Sequence, residues 1–195
     1  MDTAFINRVG MSNAWAFVDR SFYPAGGSGW LRRITPLAFV QTGRDRIARG
    51  NDLLSVNGVR MSFTRQGFVR VDRSLGHEPW TGREFPRGRW RSWGNVQITR
   101  WLRLDGRFES GRAVFYDPVE PFAGRSRRLN GGLMFQPSGQ LAQTVSWDRV
   151  AFDRADSGVR VFTVDVVNSK TIYQFTRRLY TRALLQYDSS RRRVL

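Results

Sequence analysis

The sequence predicts an all-β chain: an antiparallel up-and-down meander of about 10 to 12 strands, part of an outer-membrane-type β-barrel that is incomplete or unclosed. Three observations carry that expectation. Short alternating runs are punctuated by 19 glycines and by aromatics at 13% of the chain, and little of it follows a helical period. The stretch from Lys170 to Asp188 divides into two such runs about a turn near Arg177. The connections between runs alternate between long and short.

Strands are expected, in order, at Ala14 to Tyr23, Trp30 to Thr42, Leu53 to Thr64 and Phe68 to Ser74. They continue at Trp90 to Leu102, Leu104 to Tyr116, Leu129 to Gln136, Leu141 to Asp153, Val159 to Phe175 and Leu179 to Ser189. A further strand precedes Gly10, and Arg191 to Leu195 starts another. Side chains on a strand alternate between two faces, so each run has a greasy and a wet side. Val59, Met61 and Phe63 oppose Gly58, Arg60, Ser62 and Thr64. Leu104, Gly106 and Phe108 oppose Asp105, Arg107 and Glu109; Leu141, Val145 and Trp147 oppose Thr144, Ser146 and Asp148. In the closing hairpin Thr171, Tyr173 and Phe175 share one side, and Leu179, Thr181, Ala183, Leu185 and Tyr187 another. A soluble sandwich alternates in the same way, so alternation does not choose between sandwich and barrel.

The connections do choose. Gly43 to Asp52, Leu75 to Arg89 (the longest) and Asp117 to Arg128 read as long, and Arg154 to Gly158 as middling. Arg65 to Gly67, Arg103, Pro137 to Gln140 and Thr176 to Arg178 read as short. Long outer loops and short periplasmic turns are the habit of outer-membrane barrels. Trp90, Trp93, Trp101, Tyr116 and Tyr23 are expected near strand ends, where amphipathic rings suit the lipid–water boundary; core filling is the competing account.

Charge bounds the partners. The chain carries 32 Lys plus Arg against 16 Asp plus Glu, a formal net of +16, and Lys170 is its only lysine. That balance suits nucleic acid, anionic lipid or an anion pathway, and arginine use through codon bias is the bland reading. Nucleic-acid binders concentrate charge in a tail or stripe, whereas only Arg191-Arg192-Arg193 forms a run. Nucleic acid is therefore not an expected partner. With no cysteine there are neither disulfides nor thiolate metal sites, and no run of about 18 apolar residues marks a spanning helix. Met1-Asp2-Thr3 does not begin a signal peptide, which reads as a processed or truncated piece.

No catalytic, cofactor-binding or metal site is expected. His77, beside Glu78 in the longest connection, could do acid–base work, but a loop residue steadying Trp80 or Arg83 is the simpler account. One histidine cannot build a multi-histidine zinc site. Asp105 and Glu109 lie about 13 Å apart along one strand, wider than glycosidase carboxylates, and read as rungs of a salt-bridged interior. Gly131-Gly132 and Gly26-Gly27-Ser28-Gly29 lack the strand-to-helix setting of phosphate loops. Arg60, Arg107, Arg182 and Gln186 are the expected lumen-lining residues, making a net-positive interior that favours anionic solutes. Arg83, Arg87, Arg125, Arg127 and Arg128, read as loop residues, would meet lipid phosphates.

Y-Q-F-T at Tyr173 to Thr176, R-A-L-L-Q-Y-D-S-S at Arg182 to Ser190 and G-R-F-E-S-G-R-A-V-F-Y-D-P at Gly106 to Pro118 carry a resemblance. So do H-E-P-W at His77 to Trp80, W-L-R-L at Trp101 to Leu104 and P-F-A-G-R-S at Pro121 to Ser126. The chain resembles the C-terminal β-barrel domain of a bacterial outer-membrane family of unknown function, in which the barrel usually follows a carbohydrate-binding family 9-like domain. The resemblance implies one domain over residues 1–195, lacking the upstream domain and the closing strands. It implies the bacterial outer membrane as location, outer-membrane lipid as partner, and an anionic solute or carbohydrate as ligand. Binding, transport or scaffolding is the expected role. The alternatives are an outer-membrane hydrolase using the His77 loop and a soluble arginine-rich β nucleic-acid binder.

Overall fold

The computed structural model describes residues 10–24, 29–47, 49–64, 66–80, 82–117, 120–190 and 193–194. Strand follows strand: β1 (Met11–Asp19), β2 (Leu31–Asp45), β3 (Gly50–Phe63), β4 (Phe68–Trp80), β5 (Arg83–Thr99) and β6 (Leu102–Phe115). The chain goes on through β7 (Phe122–Phe135), β8 (Leu141–Arg154), β9 (Arg160–Gln174), β10 (Tyr180–Asp188) and the short β11 (Arg193–Val194). All are antiparallel neighbours in one 11-stranded sheet whose spatial order is the sequence order. The meander is not closed into a barrel: among the described residues β1 pairs only with β2, and β10 pairs beyond β9 only at Tyr187 and Asp188. Among the described residues no helix is long and apolar enough to cross a membrane, which says nothing of strands.

The register sorts every strand into two faces. One face carries Leu37, Val56, Asp72, Ser74, Phe85, Glu109 and Phe152, all buried. The other carries Val40, Val59, Val71, Leu104, Phe108, Leu129 and Leu185, all exposed. Among the described residues no second layer covers either. The buried face is concave, because its side chains reach over an intervening strand to meet. Arg87 on β5 bonds Asp52 on β3, and Phe115 on β6 lies 5.7 Å from Phe152 on β8.

Turn chemistry and small residues permit this curvature. Gly82, at φ 74°, serves the two-residue connection 81–82, where a left-handed conformation matches strand twist. Gly124 leaves room on the concave face for Phe152, which stacks with Phe162 at 5.8 Å and sits 6.1 Å from Phe122. A Cβ at Gly124 would run into the Phe152 ring and approach the Asp153 carbonyl oxygen at 2.6 Å.

The expected alternation of loop lengths does not hold. Connections at one end are 46–49, 81–82, 116–121 and 155–159; at the other they are 64–67, 100–101, 136–140 and 175–179. The apparent loop from Leu75 to Arg89 is the end of β4, a tight turn and the start of β5, paired from Leu75↔Gly88 to Trp80↔Arg83. Polar residues on both faces there imitate a loop, while the backbone ladder continues beneath them. Trp90 and Trp93 accordingly sit inside β5 rather than near its ends. The strand expected before Gly10 and the Arg191-Arg192 part of the arginine run lie outside the described residues.

Gly124→Val is expected to lower stability by about 1 to 3 kcal/mol through overpacking against Phe152. The measurement is the urea midpoint of protein folded in detergent micelles, and an unchanged midpoint would mean the aromatic cluster is loosely filled.

Candidate functional site: the charged concave face

Arginines and carboxylates alternate across the middle of the concave face. Asp72, Arg91, Glu109 and Arg128 are directly opposed on β4, β5, β6 and β7, forming one row of signs minus, plus, minus, plus. Asp72 retains only 2% of its accessible surface. Arg70 Nε donates to it at 3.0 Å from the same strand, and Arg91 donates from β5 at 3.1 and 3.3 Å. Trp93 lies under both cations, its ring 4.7 Å from the Arg70 guanidinium and 4.6 Å from that of Arg91. Glu109 accepts from Arg107 Nε at 2.7 Å and from Arg89 at 3.3 Å. Arg128 is bidentate to Asp148 at 2.8 and 3.2 Å. Planar guanidinium forks suit such paired acceptors, and burial makes the pairing obligatory for the carboxylates.

The row carries an excess of cations. Arg70, Arg89, Arg91, Arg107 and Arg128 share three carboxylates, Asp72, Glu109 and Asp148. A second cluster closes one end of this face. Arg87 joins Asp52 and Glu78, Tyr116 donates its hydroxyl to Glu78, and Trp80 meets the Tyr116 ring edge-on at 5.0 Å. Beyond the strands, hydrogen bonds from the Ser157 side chain and backbone hold the Asp156 carboxyl below its ordinary range, with the Arg154 guanidinium 3.4 Å away.

The expected lining residues lie on this concave face: Arg60 on β3, Arg107 on β6, Arg182 and Gln186 on β10. Only Arg107 belongs to the paired row. Arg182 and Gln186 stand exposed near the sheet edge, and Arg60 lies toward the opposite end from Glu78. Of the expected interior rungs Asp105 and Glu109, Glu109 is buried and paired with Arg107, whereas Asp105 faces inward but is exposed.

Other expectations are corrected. His77 is in β4, directly opposite Leu53 and Pro86, and belongs to no loop. It faces the convex side while Glu78 faces the concave one, so alternation keeps the two from acting together. Arg83, Arg87, Arg125, Arg127 and Arg128 are strand residues. Arg87 and Arg128 are committed to concave-face carboxylates, while Arg125 and Arg127 face outward, Arg127 bonding Asp153 at 2.8 Å. Tyr116 caps the Glu78 cluster. Sequence reading passed over Asp72 and Arg91. Their signal was the spacing of Arg70, Asp72 and Ser74, and of Arg87, Arg89 and Arg91, every second residue on neighbouring strands.

Among the described residues no three His, Asp or Glu side chains gather as a metal site. The geometry defines a class: a curved single-sheet wall with charge inside the curve and apolar residues outside it. Comparison with protein-family models, curated proteins and solved structures finds no match.

Asp72→Asn is expected to cost about 3 kcal/mol, since it leaves Arg70 and Arg91 facing each other without a counter-charge. In the same urea titration Asp156→Asn, in an exposed turn, leaves the midpoint in place. Equal behaviour of the two variants would remove the ladder as a structural element.

Proposed function

We propose that this chain forms part of the wall of an outer-membrane β-barrel with a binding, transport or scaffolding role. One observation carries the reading: polarity is inverted relative to a soluble sandwich. Charge fills the shielded concave face, and large apolar side chains stand on the open convex one. A soluble protein leaves no such contiguous apolar face in water, whereas a barrel wall in lipid needs one.

Dimensions and rim residues support it. On β7 the outward positions Leu129, Gly131, Leu133 and Phe135 extend the band about 20 Å along the strand at roughly 3.3 Å per residue. At one end the band is edged by aromatic pairs: Trp30 with Phe63 and Trp101 with Phe135, each with centroids 5.4 Å apart, and Tyr173 with Phe175 at 4.8 Å. Toward the other end the outward positions turn polar, with Arg125, Arg127, Arg149 and Asp153. That gradation from aromatic belt through apolar band to charged rim suits a bilayer interface on each side.

The excess of guanidinium over carboxylate makes the inner wall favourable to anions. The resemblance to barrels that follow a carbohydrate-binding-like domain points the role toward carbohydrate or another surface ligand, acidic sugars among them. His77, inside β4 and facing away from Glu78, does not favour the hydrolytic reading built on a His77 loop.

Because the chain has no cysteine, single thiols report cleanly on each face. In membranes containing the full chain, Leu129→Cys and Phe108→Cys are expected to resist a membrane-impermeant maleimide, while Asn168→Cys on the concave face reacts. Equal labelling of all three would overturn the membrane-wall reading.

A further inference from the structure

The buried carboxylates of the concave row have guanidinium partners, whereas Arg33 and Arg60, half-buried on that face, have no carboxylate partner among the described residues. Arg33 on β2 and Arg60 on β3 are half-buried, and they sit in adjacent rows of the same face, since Arg33 opposes Ser62 and Thr35 opposes Arg60. Both Nε atoms are shut off from solvent without a hydrogen-bond acceptor among the described residues. Arg60 lies over the Phe68 ring at 4.2 Å, and its directly opposed neighbour on β4 is another cation, Arg70. Arg70 is already engaged by Asp72.

These two cations line a hollow of about 510 Å³ with Arg32, Tyr23, Ser62 and Gln66, and among the described residues no carboxylate lines it. Three guanidiniums therefore converge on one space that also offers a serine hydroxyl and a glutamine amide. Like charges placed in neighbouring rows of a sheet repel, and a half-buried guanidinium loses hydration that only an acceptor replaces. Arg87 shows the contrast: its Nε is equally buried, yet its terminal nitrogens reach Asp52 and Glu78.

We propose that Arg33 and Arg60, with Arg32 at the rim, form a binding site for a phosphoryl dianion. The flat forks of the guanidiniums match its oxygens in bidentate fashion. Three cations without an acid favour a doubly charged group over a single carboxylate, and Ser62 and Gln66 can donate to the remaining oxygens. Register places Arg33, Arg60, Ser62 and Phe68 on the concave face, away from the apolar band. The site thus rests on the reading of this face as the inner wall, but its phosphate chemistry needs only the sheet.

The test is calorimetric titration of the full chain, folded in neutral detergent, with inorganic phosphate, and in a second arm with micelles doped with phosphatidic acid. Saturable phosphate binding is expected, weakened about tenfold or more in Arg33→Gln and in Arg60→Gln, from loss of charge-assisted hydrogen bonds. Arg178→Gln removes the same charge from an exposed turn at the same end and should leave binding unchanged, which separates the site from net charge. Binding confined to phosphatidic acid and lost in the same two variants would keep the phosphoryl site and make its source a lipid. No binding in either arm, or equal weakening by all three variants, would overturn it. Each variant is first matched to the parent by its circular dichroism and urea midpoint; if either Gln variant fails that match, Arg→Lys at that position replaces it, with the same tenfold criterion. Phosphate binding together with uniform thiol labelling would remove the membrane wall and leave this site standing; protected thiols without phosphate binding would do the reverse.

Discussion

A carboxylate withdrawn from water must be matched by cations, and Asp72 is where that demand is strongest. Its two arginines come from its own strand and from the next one, so satisfying the charge also holds β4 against β5. Glu109 repeats the arrangement between β5 and β6, and Asp148 between β7 and β8. A slip of one residue in any of these pairings would turn Arg91 or Arg128 to the convex face and strand a buried anion. Register in the middle of the sheet is therefore held by charge, where most sheets rely on an apolar core.

The same constraint shapes the two faces. With the concave side filled by ion pairs and by the Phe115, Phe122, Phe152 and Phe162 cluster, the apolar residues of each alternating strand have nowhere to go but outward. Outward apolar side chains in turn require a partner other than water. On the proposed reading lipid meets the band, while beyond it Arg127 and Arg160 share Asp153. Among the described residues β1 has no neighbour beyond β2, and most of β10 has none beyond β9, so both edges present backbone groups open to pairing.

Against this rule of pairing, the Arg33 and Arg60 hollow is an exception within one continuous surface. The sheet neutralises its most buried charges, and near one end leaves Arg33 and Arg60 without a carboxylate among the described residues. The proposed phosphoryl site rests on that contrast between a self-neutralised middle and a cationic end.

The sequence by itself determined the strand class, the meander and the face on which each side chain falls, because alternation of period two follows from backbone geometry alone. The hairpin read between Lys170 and Asp188 is present as β9 and β10, and Arg60, Arg107, Arg182 and Gln186 share one face as their parity required. Parity could not say where strands stop. Around His77 and Arg87 both faces are polar, so the chain resembles a loop although its backbone is fully paired; hydrogen bonding with a neighbour strand decided the matter. Nor could it say which arginines are neutralised. Asp72 and Arg91 are 19 residues apart, and only the register of β4 against β5 brings them together, because an ion pair depends on distance in space and the sequence records distance along the chain.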